Sequence, residues 1–319
     1  AVAEHVGQLL ARGWVDAALT HKDDELLYGR AGYLYALLWV KASLGPACPR
    51  PAAEFDAVLR EVAEATVRKG VKNGSSRWPL LYFCFGDPYL GAAHGTVGIL
   101  AMLFHCHHLL SAQSQQLLTE TLTKLTGYRH ASGNLPTAVG DRADEKVHWC
   151  HGAASLPSLL GIAAAVVGDA DGSLLKSEQE SCDVVWERGL ILKGAGLCHG
   201  VCGNAYAFLS LRQFPGADGE EALARARCFA QLLKHPALLE ATASAEDPQR
   251  EVQGVPDSPR SLMEGEAGVV CFLLDAAAPD RREAGFPGWD LPAPEPGARS
   301  SAGPPAAERP ATAAARAVE

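Results

Sequence analysis

Five stretches of this chain repeat one hydrophobic pattern. They read LLYGRAGYLYALLWV (residues 26–40), LGAAHGTVGILAMLF (90–104), HWCHGAASLPSLLGI (148–162), LCHGVCGNAYAFLSL (197–211) and LMEGEAGVVCFLLD (262–275). Each holds a Gly-x-x-Gly turn, or a near variant, and then continues for about ten mostly apolar residues. The leading glycines, Gly29, Gly95, Gly152, Gly200 and Gly265, lie 66, 57, 48 and 65 residues apart. Runs that are apolar nearly all round predict buried helices. Between them lie AAEFDAVLREVAEATVRKG (52–70), QSQQLLTETLTKLTG (113–127) and GEEALARARCFAQLLKH (219–235). Their apolar residues recur every three or four positions, which predicts helices with one solvated face.

Buried helix alternating with amphipathic helix predicts an all-α chain built as an α/α toroid, an inner ring of helices wrapped by an outer one. A long repeat of this kind marks stacked units that bury their apolar faces on one another. Glycines at the head of each inner helix suit a tight turn and close helix approach. With all the turns at one end of the ring, the side chains beside them converge on one central site.

Two of the turns carry Cys-His-Gly, at 150–152 and 198–200. Convergence would bring Cys150, Cys198 and His199 together as three corners of a zinc tetrahedron, leaving the fourth open to water or substrate, as in catalytic zinc sites. His94, in AAHG, and His151 would face the same cavity as acid–base groups. An isolated buried cysteine is more often a packing residue than a ligand; two copies in register are what point to a metal. The HCHH run at 105–108 falls at the far end of its inner helix, away from the turns. Cys84, Cys106, Cys182, Cys228 and Cys271 read as packing cysteines, and CFGDP (84–88) reads as a turn and no more.

Composition narrows the setting. At 319 residues the chain can bury a sizeable core as one large or two ordinary domains. A net charge of −9 with scattered basic residues argues against a nucleic-acid partner. Nine cysteines, with neither a signal peptide nor a compact cysteine framework, fit the reducing cytoplasm. The longest apolar run, 153–167, contains Pro157 and falls short of the ~20 residues a bilayer span needs. From Gly285 onward the chain is rich in Pro, Ala, Gly and Ser. The expected division is therefore a helical body over 1–284 and a mostly disordered segment over 285–319.

The motifs ELLYGRAGYLYALL, YLGAAHG, VHWCHGA, GLCHG with GNAYAFLSL, SLMEG and FPGWDL run in order between residue 23 and about residue 291. In this order and spacing they resemble the LanC-like proteins, eukaryotic relatives of the bacterial lanthionine cyclases. The resemblance implies a seven-hairpin toroid of which five repeats are visible here. The other two would lie upstream of Ala1, so the chain is expected to be N-terminally truncated relative to the family, with apolar flanks at both edges of the open ring.

The resemblance also implies one zinc per chain on Cys150, Cys198 and His199. The chemistry that goes with it is addition of a thiol, glutathione in the eukaryotic relatives, to dehydroalanine or dehydrobutyrine residues of a protein or peptide. It makes His94 the catalytic histidine, and places His151 where bacterial enzymes carry Tyr or His. Glu25 stands in the place of a catalytic Asp, and Lys193 matches a position that contacts glutathione. Two departures stand out. HGAAS replaces the relatives' GAPG, so Ser155 is expected to reshape the turn beside Cys150. Gly254, with Arg250 nearby, replaces an arginine that contacts glutathione. These keep open a second reading, a non-catalytic zinc- and glutathione-binding scaffold or signalling adaptor. Other toroids, the prenyltransferase β-subunits and helical glycosidases, fit the adjacent Cys198–His199 pair less well. The expected location is cytoplasmic; peripheral membrane association rests on N-termini outside this chain.

Overall fold

The computed structural model describes residues 2–191, 193–235, 258–278 and 285–291. Among these it holds eleven α-helices, three single-turn 3-10 helices and no strand beyond two isolated β-bridges. A short pair, α1 (Val2–Leu9) and α2 (Arg12–Thr20), precedes the first repeat. Five helices begin at the repeated turns: α3 (Arg30–Leu44), α5 (Thr96–His105), α7 (Leu156–Val167), α9 (Val201–Gln213) and α11 (Glu266–Ala277). Four alternate with them: α4 (Ala52–Asn73), α6 (Ala112–Thr126), α8 (Ser173–Arg188) and α10 (Gly219–Leu232). Each turn-headed helix packs on the next, α3 on α5, α5 on α7, α7 on α9 and α9 on α11. The alternate helices cover them from outside: α4 on α3, α6 on α5, α8 on α7 and α9, α10 on α9 and α11. This is the toroid that the repeat predicts. None of the described helices is long and apolar enough to cross a membrane.

Burial follows position in the ring. Every residue from 96 to 104 of α5 is buried, as are ten residues of α9. The two flanking inner helices differ. In α3 only Arg30, Ala31, Leu34 and Leu37 are buried, and in α11 only Gly268, Phe272, Asp275 and Ala276. Each has an inner neighbour on one side only among the described residues, so Trp39, Val270 and Leu274 stay exposed. The outer helices bury one stripe: Phe55, Leu59, Val62, Ala63, Thr66, Val67 and Gly70 in α4, at helical spacing.

The turns are built alike and stitched edge to edge. In the first, Gly29 N–H donates to Glu25 O, Arg30 N–H to Asp23 O and Ala31 N–H to Asp24 O. The second repeats this pattern from Gly95, Thr96 and Val97, and the fourth closes similarly through Val201, Cys202 and Gly203 N–H, which donate to Gly194, Ala195 and Gly196 O. The second glycine of the turn allows it: a Cβ on Gly203 would lie 1.7 Å from Leu197 O. Between turns, Leu26 N–H donates to Ala93 O, Cys150 N–H to Cys198 O, and Leu197 and Cys198 N–H both to Met263 O. Turns two and three meet where a Cβ on Gly91 would fall 2.0 Å from Cys150 O. The turns therefore lie side by side at one end of the ring.

Residues 285–291 belong to the packed body, although composition assigns them to the tail. Phe286 and Trp289 are buried. Trp149 stacks on Phe286 at 4.4 Å between centroids and meets Trp289 edge-on at 5.8 Å, while Tyr206 lies 5.2 Å from Phe286. Two buried tryptophans and a phenylalanine outweigh the local Pro/Gly content, which reports only the lack of regular structure. Asp290 fixes the segment, accepting from Phe286 N–H and from the Ser158 hydroxyl of α7. Residues 292–319 lie outside the described residues.

Burial raises the Asp290 carboxyl to about 6. A native value above the unfolded one means the folded state holds the extra proton between about pH 4 and pH 6, so stability from this group falls as pH rises through that window. Asp290→Asn is expected to become more stable relative to the parent by roughly 2 kcal/mol between pH 4.5 and pH 7. Urea unfolding of both proteins at the two pH values checks it; a difference independent of pH counts against a buried, protonated Asp290.

Candidate metal centre and its histidine–carboxylate pair

Cys150 sits in the third turn, and Cys198 and His199 in the fourth. The backbone bond from Cys150 N–H to Cys198 O, at 3.0 Å, locks the two turns in register. Their ligand atoms, two Sγ and one imidazole nitrogen, lie within 4.8 Å of one another. They form the only such group of three or more metal-type donors among the described residues. Ligands at tetrahedral zinc distances stand roughly 3.5–4 Å apart, so the spacing and the soft donor set fit that ion. The thiols also interact directly. A hydrogen bond from Cys150, then His199, pushes Cys198 down, while that same bond and burial push Cys150 up. A thiol pair with Cys198 pushed down suits a cation-binding site.

The third turn departs from the others, as Ser155 leads one to expect. Where its counterparts have the second glycine, this turn has a fully buried serine whose hydroxyl donates to Gly152 O at 2.8 Å. Gly152 takes φ 113°, and a 3-10 turn over Ala153–Ser155 replaces the regular helix start. Two asparagines make up the lost backbone pattern. Asn134 Oδ1 accepts from Ala153 N–H at 2.8 Å, and its Nδ2 donates to Lys146 O and to Asp144. Asn204 of α9 donates Nδ2 to Val147 O and Gly189 O at 2.7 and 2.9 Å. Both asparagines are buried. Sequence reasoning missed them because their partners lie 19 and 57 residues away, beyond any local pattern.

The first and second turns supply the histidine–carboxylate pair. Glu25 is 1% exposed in its side chain and accepts from Leu27 N–H at 2.9 Å and from Tyr28 N–H. Its Oε2 lies 2.9 Å from His94 Nδ1. A carboxylate held by two backbone donors fixes the proton on Nδ1 and leaves Nε2 to exchange one. The turn carrying Glu25 is itself pinned by the buried Arg30–Asp24 ion pair and by Arg30 bonds to Leu19 O and His21 O.

His151 bridges the two groups. Its ring lies 6.5 Å from His94, and its titration responds to both His94 and His199. Burial, then the positive charge of Lys146, lowers it to about 4, and its Nδ1 is buried without a partner. His148, unassigned from the sequence, is buried beside His199 at 6.1 Å and pushed to about 3 by burial and Lys193. Lys193 is half-buried, and its charge acts on His148, Cys150 and His151. The structure therefore brings Cys150, Cys198, His199, His94, His151, Glu25 and Lys193 to one end of the ring. His105 and its neighbours stay apart, with His105 half-buried and lowered to about 4 by desolvation alone. Arg250 and Gly254 lie outside the described residues.

A helical toroid with two thiols and an imidazole meeting at its turn end defines a narrow class of protein. The lanthionine synthetase C-like family model matches residues 8–291, and the chain belongs to that family. It is 34% identical over 277 residues to glutathione S-transferase LANCL1 of Danio rerio, covering 84% of this chain and 62% of that protein. It is 33% identical over 270 residues to LanC-like protein GCL1 of Arabidopsis thaliana, covering 84% and 58% respectively. The chain thus spans about three fifths of the length of these relatives. Among solved structures it resembles nisin cyclase in fold, with a TM-score of 0.55 at 15% identity, covering 86% of this chain and 67% of that one.

Removing the Asn134 side chain strands the Ala153 N–H inside the protein. Asn134→Ala is expected to destabilise by about 1–3 kcal/mol, the cost of an unsatisfied buried group. Urea unfolding measures it, and an effect below about 0.5 kcal/mol would mean that water replaces the amide.

Proposed function

We propose that this chain adds a thiol, glutathione being the candidate, across the double bond of dehydroalanine or dehydrobutyrine residues in a protein or peptide, with zinc held by Cys150, Cys198 and His199. One observation carries the reading: the thiol–imidazole cluster and the Glu25–His94 pair share one end of the ring, linked by His151. Zinc bound there would lower the pKa of an incoming thiol and so supply the nucleophile at neutral pH. Sulfur attacks the β-carbon, the π electrons move toward the carbonyl, and the thiol's proton ends on the α-carbon. His94 relays that proton through Nε2 while Glu25 holds its ring in place. His151 stands beside it as a neutral imidazole facing the developing enolate. Lys193 offers a cation to a carboxylate of the tripeptide. The name glutathione S-transferase carried by one relative supports the choice of thiol.

Elemental analysis is expected to find one zinc per chain in the parent and none in Cys198→Ala. With glutathione and a dehydroalanine peptide, mass spectrometry should show adduct formation by the parent and none by Cys198→Ala. His94→Asn should retain zinc and lose about 10²- to 10⁴-fold in rate, the usual contribution of a general acid–base group. Zinc without turnover in the parent would leave a metal-stabilised binding module, and a well-folded parent without zinc would remove the reading altogether.

A further inference from the structure

The loop before the second turn ends in a two-residue hairpin. Cys84 N–H donates to Asp87 O and Asp87 N–H to Cys84 O, both at 3.0 Å. The central residues, Phe85 and Gly86, have φ of 52° and 93°. Paired positive values are the type I′ pattern, which favours Asn-Gly, Asp-Gly or Gly-Gly. Phe85 is the only non-glycine at positive φ among the described residues, a bulky side chain where L-residues are strained. Packing does not compensate, because Phe85 is 73% exposed. The loop is thus more than the plain turn its sequence suggests.

What the Phe85 ring does meet is His94, edge-on at 5.6 Å between centroids. On another side Tyr28, 68% exposed, lies nearly parallel to His94 at 6.4 Å with 13° between the planes. Tyr89 completes the surround, 6.4 Å from His94 and 5.2 Å from His151. Two aromatic rings open to solvent therefore flank the histidine that the preceding reading puts at the electrophile. Strain at a residue whose burial does not explain it is a mark of functional sites.

We propose that Phe85 and Tyr28 form a recognition rim for an aromatic or large apolar side chain flanking the electrophilic residue of a peptide substrate. This rests on the thiol-addition reading for the position of the electrophile. Successive residues of a peptide are about 3.8 Å apart, so a chain with its reactive carbon at His94 carries its neighbouring side chains onto these rings. An incoming ring can meet Phe85 or Tyr28 in the offset or edge-on geometries that aromatic pairs prefer. Tyr28 also supports Glu25 through its backbone, whereas the Phe85 side chain can be changed without touching that carboxylate.

The test uses fluorescence anisotropy with unreactive peptides in which alanine replaces dehydroalanine, flanked by phenylalanine in one peptide and by alanine in the other. Binding then needs no turnover, and the comparison stands even if the thiol-addition reading fails. The parent is expected to favour the phenylalanine-flanked peptide by roughly three- to tenfold, about what one aromatic pair supplies. Phe85→Asn should bring the ratio close to one with Tm unchanged or higher, since Asn suits the left-handed turn. Phe85→Trp should keep the preference. A parent that binds neither peptide or shows no preference overturns the rim, as does a preference that survives in Phe85→Asn. A Tm that falls in Phe85→Asn while the ratio holds would make Phe85 a structural residue. Adduct formation by the parent without any flank preference would leave the chemistry standing and remove only the rim.

Discussion

Close contact between neighbouring turns is the constraint on which the structure depends. A turn can donate its backbone to the next only if nothing projects between them, and the missing Cβ atoms at Gly91, against Cys150, and at Gly196, against Glu264, keep that space clear. Once the turns are in contact, backbone bonds set the register of adjacent helices, and any residue next to a glycine is delivered to a fixed place. The metal-type donors and the histidine–carboxylate pair sit on such residues. Rigid backbone, rather than side-chain packing, therefore sets the site's geometry, as a preorganised centre requires.

The electrostatics of the site follow from the same enclosure. Desolvation keeps His148 and His151 neutral, so the imidazoles near the cluster do not add positive charge beside a cation site. The mutual interaction of the two thiols pushes Cys198 down and Cys150 up, and His199 adds to the pull on Cys198. The carboxylate lies apart in the first turn, where backbone N–H groups from Leu27 and Tyr28 stabilise its charge. The thiol pair and the carboxylate are thus separated by ring position, each in a setting of its own.

The ring and its cluster were legible in the sequence because both are periodic. Glycine spacing predicts the helix starts, and two Cys-His-Gly turns in register predict one meeting point. The Glu25 and Lys193 assignments came from resemblance alone, since a lone acid before a helix and a lone lysine in a loop carry no pattern of their own. Asn134 and Asn204 were not legible because their partners are distant carbonyls, which no local pattern encodes. At FPGWDL composition and packing differ. Composition averages over the segment, whereas two aromatic rings in contact with Trp149 decide its fate. The strain at Phe85 is not legible in the sequence because CFGDP has the residues of any turn, and the sign of φ becomes visible only in three dimensions.

The Trp149–Phe286–Trp289 cluster has a consequence for biosynthesis. Trp149 immediately precedes Cys150, and the rings that support it arrive more than 130 residues later in the chain. As the protein leaves the ribosome, the earlier hairpins can form in turn, each on its predecessor. The floor beneath Cys150 stays open until residue 289 has emerged. Messages cut short before that codon would yield chains that possess every ligand residue yet lack the footing of the first one.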